Sequence, residues 1–216
     1  GKVFILDSEA YTIIKREIQE KDLSREIARF EDALIQTRQE ILGIQERISE
    51  QLGIKHAEIF NAHLLVLEDR TLIEEVISRL KKELLCVEYI FDGVIKKYIS
   101  AFQNIEDEYL RERVADIRDI GKRILLNLLG KKRETLADIN EKVIVIAYDL
   151  SPSDTASLHK KNVIAFATDI GGKTSHTAIM AKALEIPAVL GLKNITKGVK
   201  SGDTVIVDGS NGFVIT

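Results

Sequence analysis

The chain has 216 residues, a formal net charge of −3 and 30% charged residues. It is long enough for two domains, and its charge gives no reason to expect a nucleic-acid partner. Hydrophobic residues make up 45% of the chain, but no apolar run reaches the roughly 20 residues of a membrane span. Cys86 excludes an internal disulfide, since it has no second cysteine to pair with, and it fits a reducing compartment. We therefore expect a cytoplasmic protein without membrane insertion. The missing initiator methionine suggests a fragment.

A long helix is predicted near the start of a stretch, residues 20–130, that contains no proline. Apolar positions recur there at spacings of three and four, the pattern of a helix packed along its partners. These positions are Ile27, Phe30, Leu34, Thr37, Ile41, Ile44 and Ile48. Asp22 or Ser24 can cap the helix at its start, and Gly43 is a candidate bend.

Further helices complete an antiparallel bundle. Three shorter helical runs are predicted near 56–67, 71–83 and 87–101. A last long helix can be capped by Asn104 and can end at Gly130. Its apolar stripe is Leu110, Val114, Ile117, Gly121, Ile124 and Leu128. We predict a helical domain over residues 21–130.

The pattern changes to alternating strands and helices from about residue 140. Strands are predicted at 143–146, 163–168 and near 188–190, with a hairpin formed by 204–207 and 213–215. Ser151, followed by Pro152, has the pattern of a helix start. The strand at 2–6 has no partner in the helical part, so it joins this sheet. The predicted fold is therefore α+β in two domains, with residues 1–20 and 131–216 forming an α/β domain that contains the bundle as an insertion.

The segment from residue 171 to 181 carries the strongest chemical signal. Two glycines and several hydroxyls precede His176, which falls at or near the first turn of a helix after the strand 163–168. Free N–H groups and the helix dipole favour anionic oxygens at such a position, and they disfavour a charged imidazolium. A neutral imidazole beside a phosphate cradle is suited to carrying a phosphoryl group.

Two other interpretations of this segment stay open on the residues alone. The first is a nucleotide-binding P-loop, which would end with Gly172, Lys173 and Thr174 and would use Asp208 as a magnesium ligand. Against it, Ala167 stands where the first glycine of that motif belongs. Alternatively, the turn is only structural, with Thr174 or Ser175 as a helix cap.

A family resemblance favours the phosphohistidine. The segments 171–181, 184–188 and 208–212 resemble the signature of the phosphoenolpyruvate-utilising enzymes, which include pyruvate phosphate dikinase, phosphoenolpyruvate synthase and Enzyme I of the bacterial sugar phosphotransferase system. The segments 58–69, 107–123 and 149–155 are similar to the Enzyme I branch. The resemblance covers essentially the whole chain and implies the amino-terminal, phosphoryl-carrying half, with a swivelling phosphohistidine domain.

The resemblance also implies residue roles. His176 would take a phosphoryl group from phosphoenolpyruvate and pass it to a histidine of the small carrier protein HPr, while Thr155 orients its ring. The phosphate-facing turn would be Gly171, Gly172, Thr174 and Ser175. HPr would dock near His63, Val66, Leu72 and Arg113. The barrel that binds phosphoenolpyruvate, magnesium and the dimer partner is absent, so we expect no cofactor or metal in this chain and no activity with phosphoenolpyruvate alone.

Simpler interpretations accompany the helical residues. Val66 and Leu72 can be bundle packing, and Arg113 can lie on a solvated face. His56 and His63 share a helical face but lack a third metal ligand at suitable spacing. Asp116, Arg118 and Asp119 are interpreted as salt bridges of small worth, and His159 as an exposed residue at a helix end.

Two alternative functions follow from these choices. One is a related phosphorelay component, serving nitrogen or dihydroxyacetone-kinase signalling, with the same site and a different partner. The other is a non-catalytic helical interaction module.

Overall fold

The computed structural model describes residues 1–6, 13–103, 108–131, 136, 139–156, 161–172 and 175–216, with the backbone alone at 103, 108–113, 152, 156 and 176. The chain forms two compact units, Tyr11–Arg133 and the combination of Gly1–Ala10 with Glu134–Thr216. One is a helical bundle and the other a smaller α/β unit, which confirms the predicted fold class. Within the described ranges, no helix is both long and apolar enough to cross a membrane.

The helical unit follows the predicted periodicity. Its helices are α1 Leu23–Leu52, α2 Ile54–Ala57, α3 Ile59–Leu67, α4 Arg70–Glu83, α5 Val87–Gln103 and α6 Glu108–Leu128. Helix α1 continues without interruption through Gly43. It contacts α3 and α6, and α5 packs against α6. The predicted cap Asn104 lies outside the described residues, whereas Gly130 has the left-handed φ of +62° expected after a helix end.

The buried face of α1 differs from the prediction in its first turns. Glu26 and Ala33 are buried, where the sequence favoured Ile27 and Leu34. The Glu26 carboxylate accepts hydrogen bonds from the Val87 amide at 2.9 Å and from Arg29 at 2.8 Å. A charged side chain can be buried there because both oxygens have strong donors.

Residues before α1 belong to the helical unit. The Ile18 amide donates to the Leu84 carbonyl at 2.9 Å, and the Cys86 amide donates to the Arg16 carbonyl at 2.8 Å. These bonds tie the segment to the connection between α4 and α5. The division between the units therefore falls near residue 10, whereas the sequence prediction placed it at residue 20.

The α/β unit is built on a parallel sheet. Among the described residues, its strands in spatial order are β1 Lys2–Leu6, β2 Val143–Ala147, β3 Val163–Thr168 and β4 Ala188–Val189. Strand β1 pairs with β2 from Lys2 opposite Val143 to Leu6 opposite Ala147. The helices are α7 Pro152–Ala156, α8 His176–Leu184 and α9 Ile195–Gly198, and β5 Ile206–Asp208 with β6 Phe213–Ile215 form an antiparallel hairpin.

The central strand β2 is buried on both faces, as is usual for parallel sheets covered on two sides. One face contributes Ile144 and Ile146 to an apolar cluster. The hairpin covers this cluster with Val207 and Val214, and α9, which the sequence did not predict, adds Ile195. The unit therefore has its own core.

Two helix glycines should respond oppositely to substitution by alanine. Within the described part of the chain, a Cβ at Gly43 meets nothing within 4 Å, whereas one at Gly121 would lie 2.7 Å from Cγ1 of the buried Ile95. We expect Gly43→Ala to stabilise the protein by up to about 1 kcal/mol, and Gly121→Ala to destabilise it by about 1–3 kcal/mol through overpacking. Urea unfolding followed by far-UV circular dichroism measures both. Equal stabilities of the two variants would contradict this packing.

Glu26 should make the helical unit acid-sensitive. Burial raises the pKa of this carboxyl, but the bonds from Val87 and Arg29 outweigh burial and hold the pKa below its usual range. A lowered folded-state pKa means that the stabilisation is present above the ordinary Glu value and is lost as pH falls through the folded value.

Glu26→Gln should therefore lower the free energy of unfolding at pH 7 by about 2 kcal/mol and flatten its loss in acid. The control is Glu83→Gln, which breaks a more exposed pair with Arg79 and should cost at most about 1 kcal/mol. Unfolding measured between pH 7 and pH 3 compares the variants. An acid profile of Glu26→Gln that parallels the unsubstituted protein would contradict this assignment.

Candidate functional site

The connection from β3 to α8 contains the predicted site. The amides of Asp169 and Ile170 donate to the carbonyls of Ala147 and Tyr148 at 3.2 and 3.1 Å, so pairing with β2 continues past the end of β3. The chain then turns at Gly171, whose φ of +115° is strained for any residue with a side chain. The sheet thus holds one end of the turn.

Ser175 closes the other end of the turn. Its hydroxyl donates to the Gly172 carbonyl at 2.8 Å, and its amide donates to the same carbonyl at 3.0 Å. The Ser175 oxygen also accepts from the Ala178 amide at 3.3 Å, so Ser175 is the N-cap of α8. The structure therefore assigns the hydroxyl hydrogen of Ser175 to the turn itself.

His176 occupies the first position of α8, so its backbone lies at a helix N-terminus as predicted. The Ser175 cap uses the Ala178 amide. Because the turn precedes α8, the positive, amino-terminal end of the helix dipole faces the turn. The side chain of His176 and the residues Lys173 and Thr174 lie outside the described part of the chain, so the roles of His176 and Thr174 stay predictions.

Helix α7 brings Thr155 to the same region, because α7 packs against α8. The predicted helix start is confirmed: the Ser151 amide donates to Asp154 at 3.0 Å, and the Asp154 amide donates to the Ser151 hydroxyl at 3.2 Å. The side chain of Thr155 is 1% exposed, and its hydroxyl donates to the Ser151 carbonyl at 3.2 Å. A hydroxyl oxygen can accept hydrogen bonds as well as donate one.

Thr177 is a site residue for which no role was predicted from the sequence. It is buried, and its hydroxyl donates to the Leu150 carbonyl at 2.9 Å. This bond fixes the first turn of α8 to the connection that leads into α7. Its place beside His176 was visible in the sequence, but its distant carbonyl partner was not.

Gly172 completes the turn on its exposed side. Among the described residues, nothing lies within 4 Å of a Cβ placed there, and the residue is exposed. Gly172 is therefore accessible to solvent at this point.

In the helical unit, the structure corrects two predicted docking residues. His63 is 0% exposed and Leu72 is 2% exposed, so neither can touch a visiting protein. Val66 is half-buried, and the side chain of Arg113 lies outside the described residues. Leu65, which the sequence did not single out, is 71% exposed.

The buried ring of His63 lies near a backbone carbonyl and two carboxylates. Its Nδ1 lies 3.3 Å from the Ile59 carbonyl, and its Nε2 lies 3.4 Å from Oδ2 of Asp119 and 3.9 Å from Oδ1 of Asp116. Both aspartates are themselves buried. They are therefore interior groups, whereas the sequence predicted bundle salt bridges that contribute little to stability.

The remaining polar candidates have local partners. Nδ1 of His56 lies 2.9 Å from the Leu52 carbonyl, and the described residues include no group of three or more His, Cys, Asp or Glu placed to hold a metal ion. Asp208 accepts from the Asn211 side chain at 2.8 Å and from the amides of Asn211 and Ser210 at 2.9 and 3.0 Å. These bonds lower the pKa of Asp208 and make it part of the hairpin turn.

The chain matches two family models. Residues 1–113 match the model "PEP-utilising enzyme, N-terminal", and residues 139–212 match "PEP-utilising enzyme, mobile domain". Proteins named phosphoenolpyruvate-protein phosphotransferase from Bacillus sp. (strain S) and Geobacillus stearothermophilus are each 46% identical to it over 215 residues. The match covers 100% of this chain, which spans 37% of the length of those relatives.

Two solved structures are also similar. A solution structure of Enzyme I shares 50% identity with a TM-score of 0.79, and the match covers 100% of this chain and 87% of that one. The "N-terminal domain of Enzyme 1 - Nitrogen" shares 25% identity with a TM-score of 0.66, with the same coverage of 100% and 87%. The chain therefore belongs to the phosphoenolpyruvate-utilising enzymes, as the amino-terminal domain of an Enzyme I-type phosphotransferase.

Proposed function

We propose that this chain carries a phosphoryl group on His176 and exchanges it with a histidine of HPr. The main support is the position of His176 at the N-terminus of α8, directly after an exposed glycine turn, in a chain of the Enzyme I family. The chain spans 37% of its curated relatives, so phosphoenolpyruvate and magnesium are assigned to the remainder of the intact protein.

In the exchange with phospho-HPr, the lone pair of Nε2 of His176 attacks phosphorus. A P–N bond forms on His176 while the P–N bond on the HPr histidine breaks, and the electron pair of that bond stays on the departing imidazole. In the intact protein, the same attack on phosphoenolpyruvate breaks a P–O bond and releases the enolate of pyruvate, which takes a proton from water. Such transfers depend chiefly on positioning and charge stabilisation.

Thr155 is the proposed orienter of the His176 ring. Its hydroxyl hydrogen is directed to the Ser151 carbonyl, so toward an imidazole it acts as an acceptor. An acceptor holds the proton on the ring nitrogen that faces it, which leaves the other nitrogen unprotonated for attack. The burial of Thr155 keeps water from competing for this interaction.

The phosphoryl oxygens need hydrogen-bond donors. Because the Ser175 hydroxyl already donates to Gly172, we assign this task to backbone amides of the turn and of the first turn of α8. No described residue lies within 4 Å of a Cβ placed at Gly172, and we propose that the phosphoryl group approaches on this side. Ser175 then acts by shaping the turn, and Thr174 stays a proposed donor.

HPr is proposed to dock on the helical unit around the end of α3. Leu65 and Val66 supply apolar contact there, and Arg113 is a proposed cationic contact. His63 and Leu72 support this surface from beneath, because both are buried. The higher identity to Enzyme I, 50% against 25% for the nitrogen-related domain, favours HPr over the partner of the nitrogen-related system.

Removing the proposed acceptor should abolish phosphorylation. The unsubstituted chain should gain acid-labile label from phospho-HPr and none from phosphoenolpyruvate alone, whereas His176→Ala should gain no label. Thr155→Val should slow labelling by roughly ten- to hundredfold, since the ring loses its orientation.

His56→Ala is the matched control, because it removes a half-buried histidine from the helical unit, and it should label normally. Labelled His176→Ala would show that another residue is the acceptor. Label taken from phosphoenolpyruvate alone would contradict the assignment of its binding site to the rest of the protein.

The docking surface can be tested separately. Leu65→Ala should raise the Kd for HPr by about tenfold, because a Leu side chain buried in a complex contributes roughly 1.5 kcal/mol. Ile35→Ala removes a similarly exposed side chain from α1 and should leave the Kd unchanged. Isothermal titration with unphosphorylated HPr measures both. A Leu65→Ala protein that binds as tightly as Ile35→Ala would remove Leu65 from the interface.

A further inference from the structure

The segment 190–196 lies directly against the glycine turn. A Cβ at Gly171 would lie 3.6 Å from Cβ of Leu190. A Cβ at Gly191 would lie 3.1 Å from the carbonyl oxygen of Gly171, and Gly191 has a φ of +81°. Gly191 thus allows the segment to approach the Gly171 backbone more closely than a side chain would easily permit, whereas the contact of Gly171 with Leu190 has an ordinary van der Waals distance.

Asp169 joins this segment to the end of β3. Its side chain is 3% exposed, and its carboxylate accepts a hydrogen bond from the Thr196 hydroxyl and one from the Thr196 amide at 3.4 Å. The Asp169 carbonyl accepts from the Lys193 amide at 2.8 Å, and the Thr168 carbonyl accepts from the Leu192 amide at 3.0 Å. Three residues of the segment are therefore bound to two consecutive residues of β3 and its extension.

The backbone of this segment is held in an unfavourable conformation. Lys193 has a φ of +70°, which residues other than glycine seldom adopt. Such a conformation persists only when the surrounding bonds determine it. The bond from Lys193 to Asp169 and the two from Thr196 to the Asp169 carboxylate provide that constraint.

We propose that residues 190–196 brace the glycine turn, and that Asp169 and Thr196 are positioning residues for phosphoryl transfer. The inference rests on the proposed function of His176. Asp169 precedes Gly171 by two residues, so the residue that binds Thr196 through its carboxylate also leads directly into the turn. Neither residue touches the phosphoryl group. They set the place of Gly171 and Gly172, and so the place of the amides that receive it.

The test uses the 216-residue chain with Thr196→Val, which keeps the side-chain shape and removes the hydroxyl. We expect labelling from saturating phospho-HPr to slow by roughly ten- to hundredfold, because transfer depends steeply on alignment. The Kd for HPr should not change, and the amide NMR signals of Gly171 and Gly172 should shift. Thr196→Ser keeps the hydroxyl and should restore most of the rate.

Ser201→Ala is the control, because it removes a hydrogen bond from the Ile5 amide, 3.1 Å long, in the same unit. It should transfer at the normal rate. The proposal is overturned if Thr196→Val transfers as fast as the unsubstituted chain, or if Ser201→Ala is slowed equally at a temperature where both are folded.

If Thr196→Val does not fold, Asp169→Asn takes its place with the same expected slowing, since one acceptor oxygen becomes a donor. If the unsubstituted chain takes up no label from phospho-HPr, the proposed function is overturned, and the positioning role with it. The amide signals of Gly171 and Gly172 would still report independently whether the brace fixes the turn.

Discussion

The hydroxyl of Ser175 sets the geometry on which the rest of the site depends. It donates to Gly172 and accepts from Ala178, so one atom joins the end of the turn to the first turn of α8. Capping satisfies a helix amide that would otherwise lack a partner, and it fixes the residue at which the helix begins. Because that residue is His176, its backbone position follows from the cap.

Hydroxyl groups around the turn share one arrangement. Thr155, Thr168 and Thr177 each donate to a backbone carbonyl, as Ser175 does. Their hydrogens hold loops together, so toward any other group these hydroxyls can act only as acceptors. An anionic phosphoryl group needs donors, so these hydroxyls suit the shaping of the site and the orientation of a ring N–H. In the proposed transfer, stabilisation of the phosphoryl oxygens is therefore assigned to backbone amides, which are rigid and need no reorganisation.

The strands and most helices could be predicted, because their periodicity, caps and turn residues are local. The burial of His63 could not be inferred from the family resemblance. Its helical spacing from Phe60 and Leu67 nevertheless places His63 on the buried face of α3. The burial of Glu26 depends on the Val87 amide, 61 residues away in sequence. Likewise, the link from Asp169 to Thr196 joins residues 27 apart. Local patterns identify such residues as polar, but they do not identify the partners that make burial favourable.

In the proposed function, the order of the chain separates phosphoryl transfer from partner recognition. Strand β1 precedes the helical unit and β2 follows it, and the two strands pair in parallel within the α/β unit. All described residues of the proposed phosphoryl site follow that insertion, between Ser151 and Thr196. Each unit also has its own buried core. Under the proposed function, we therefore expect changes on the surface of the helical unit to alter partner affinity and changes at the turn to alter transfer itself.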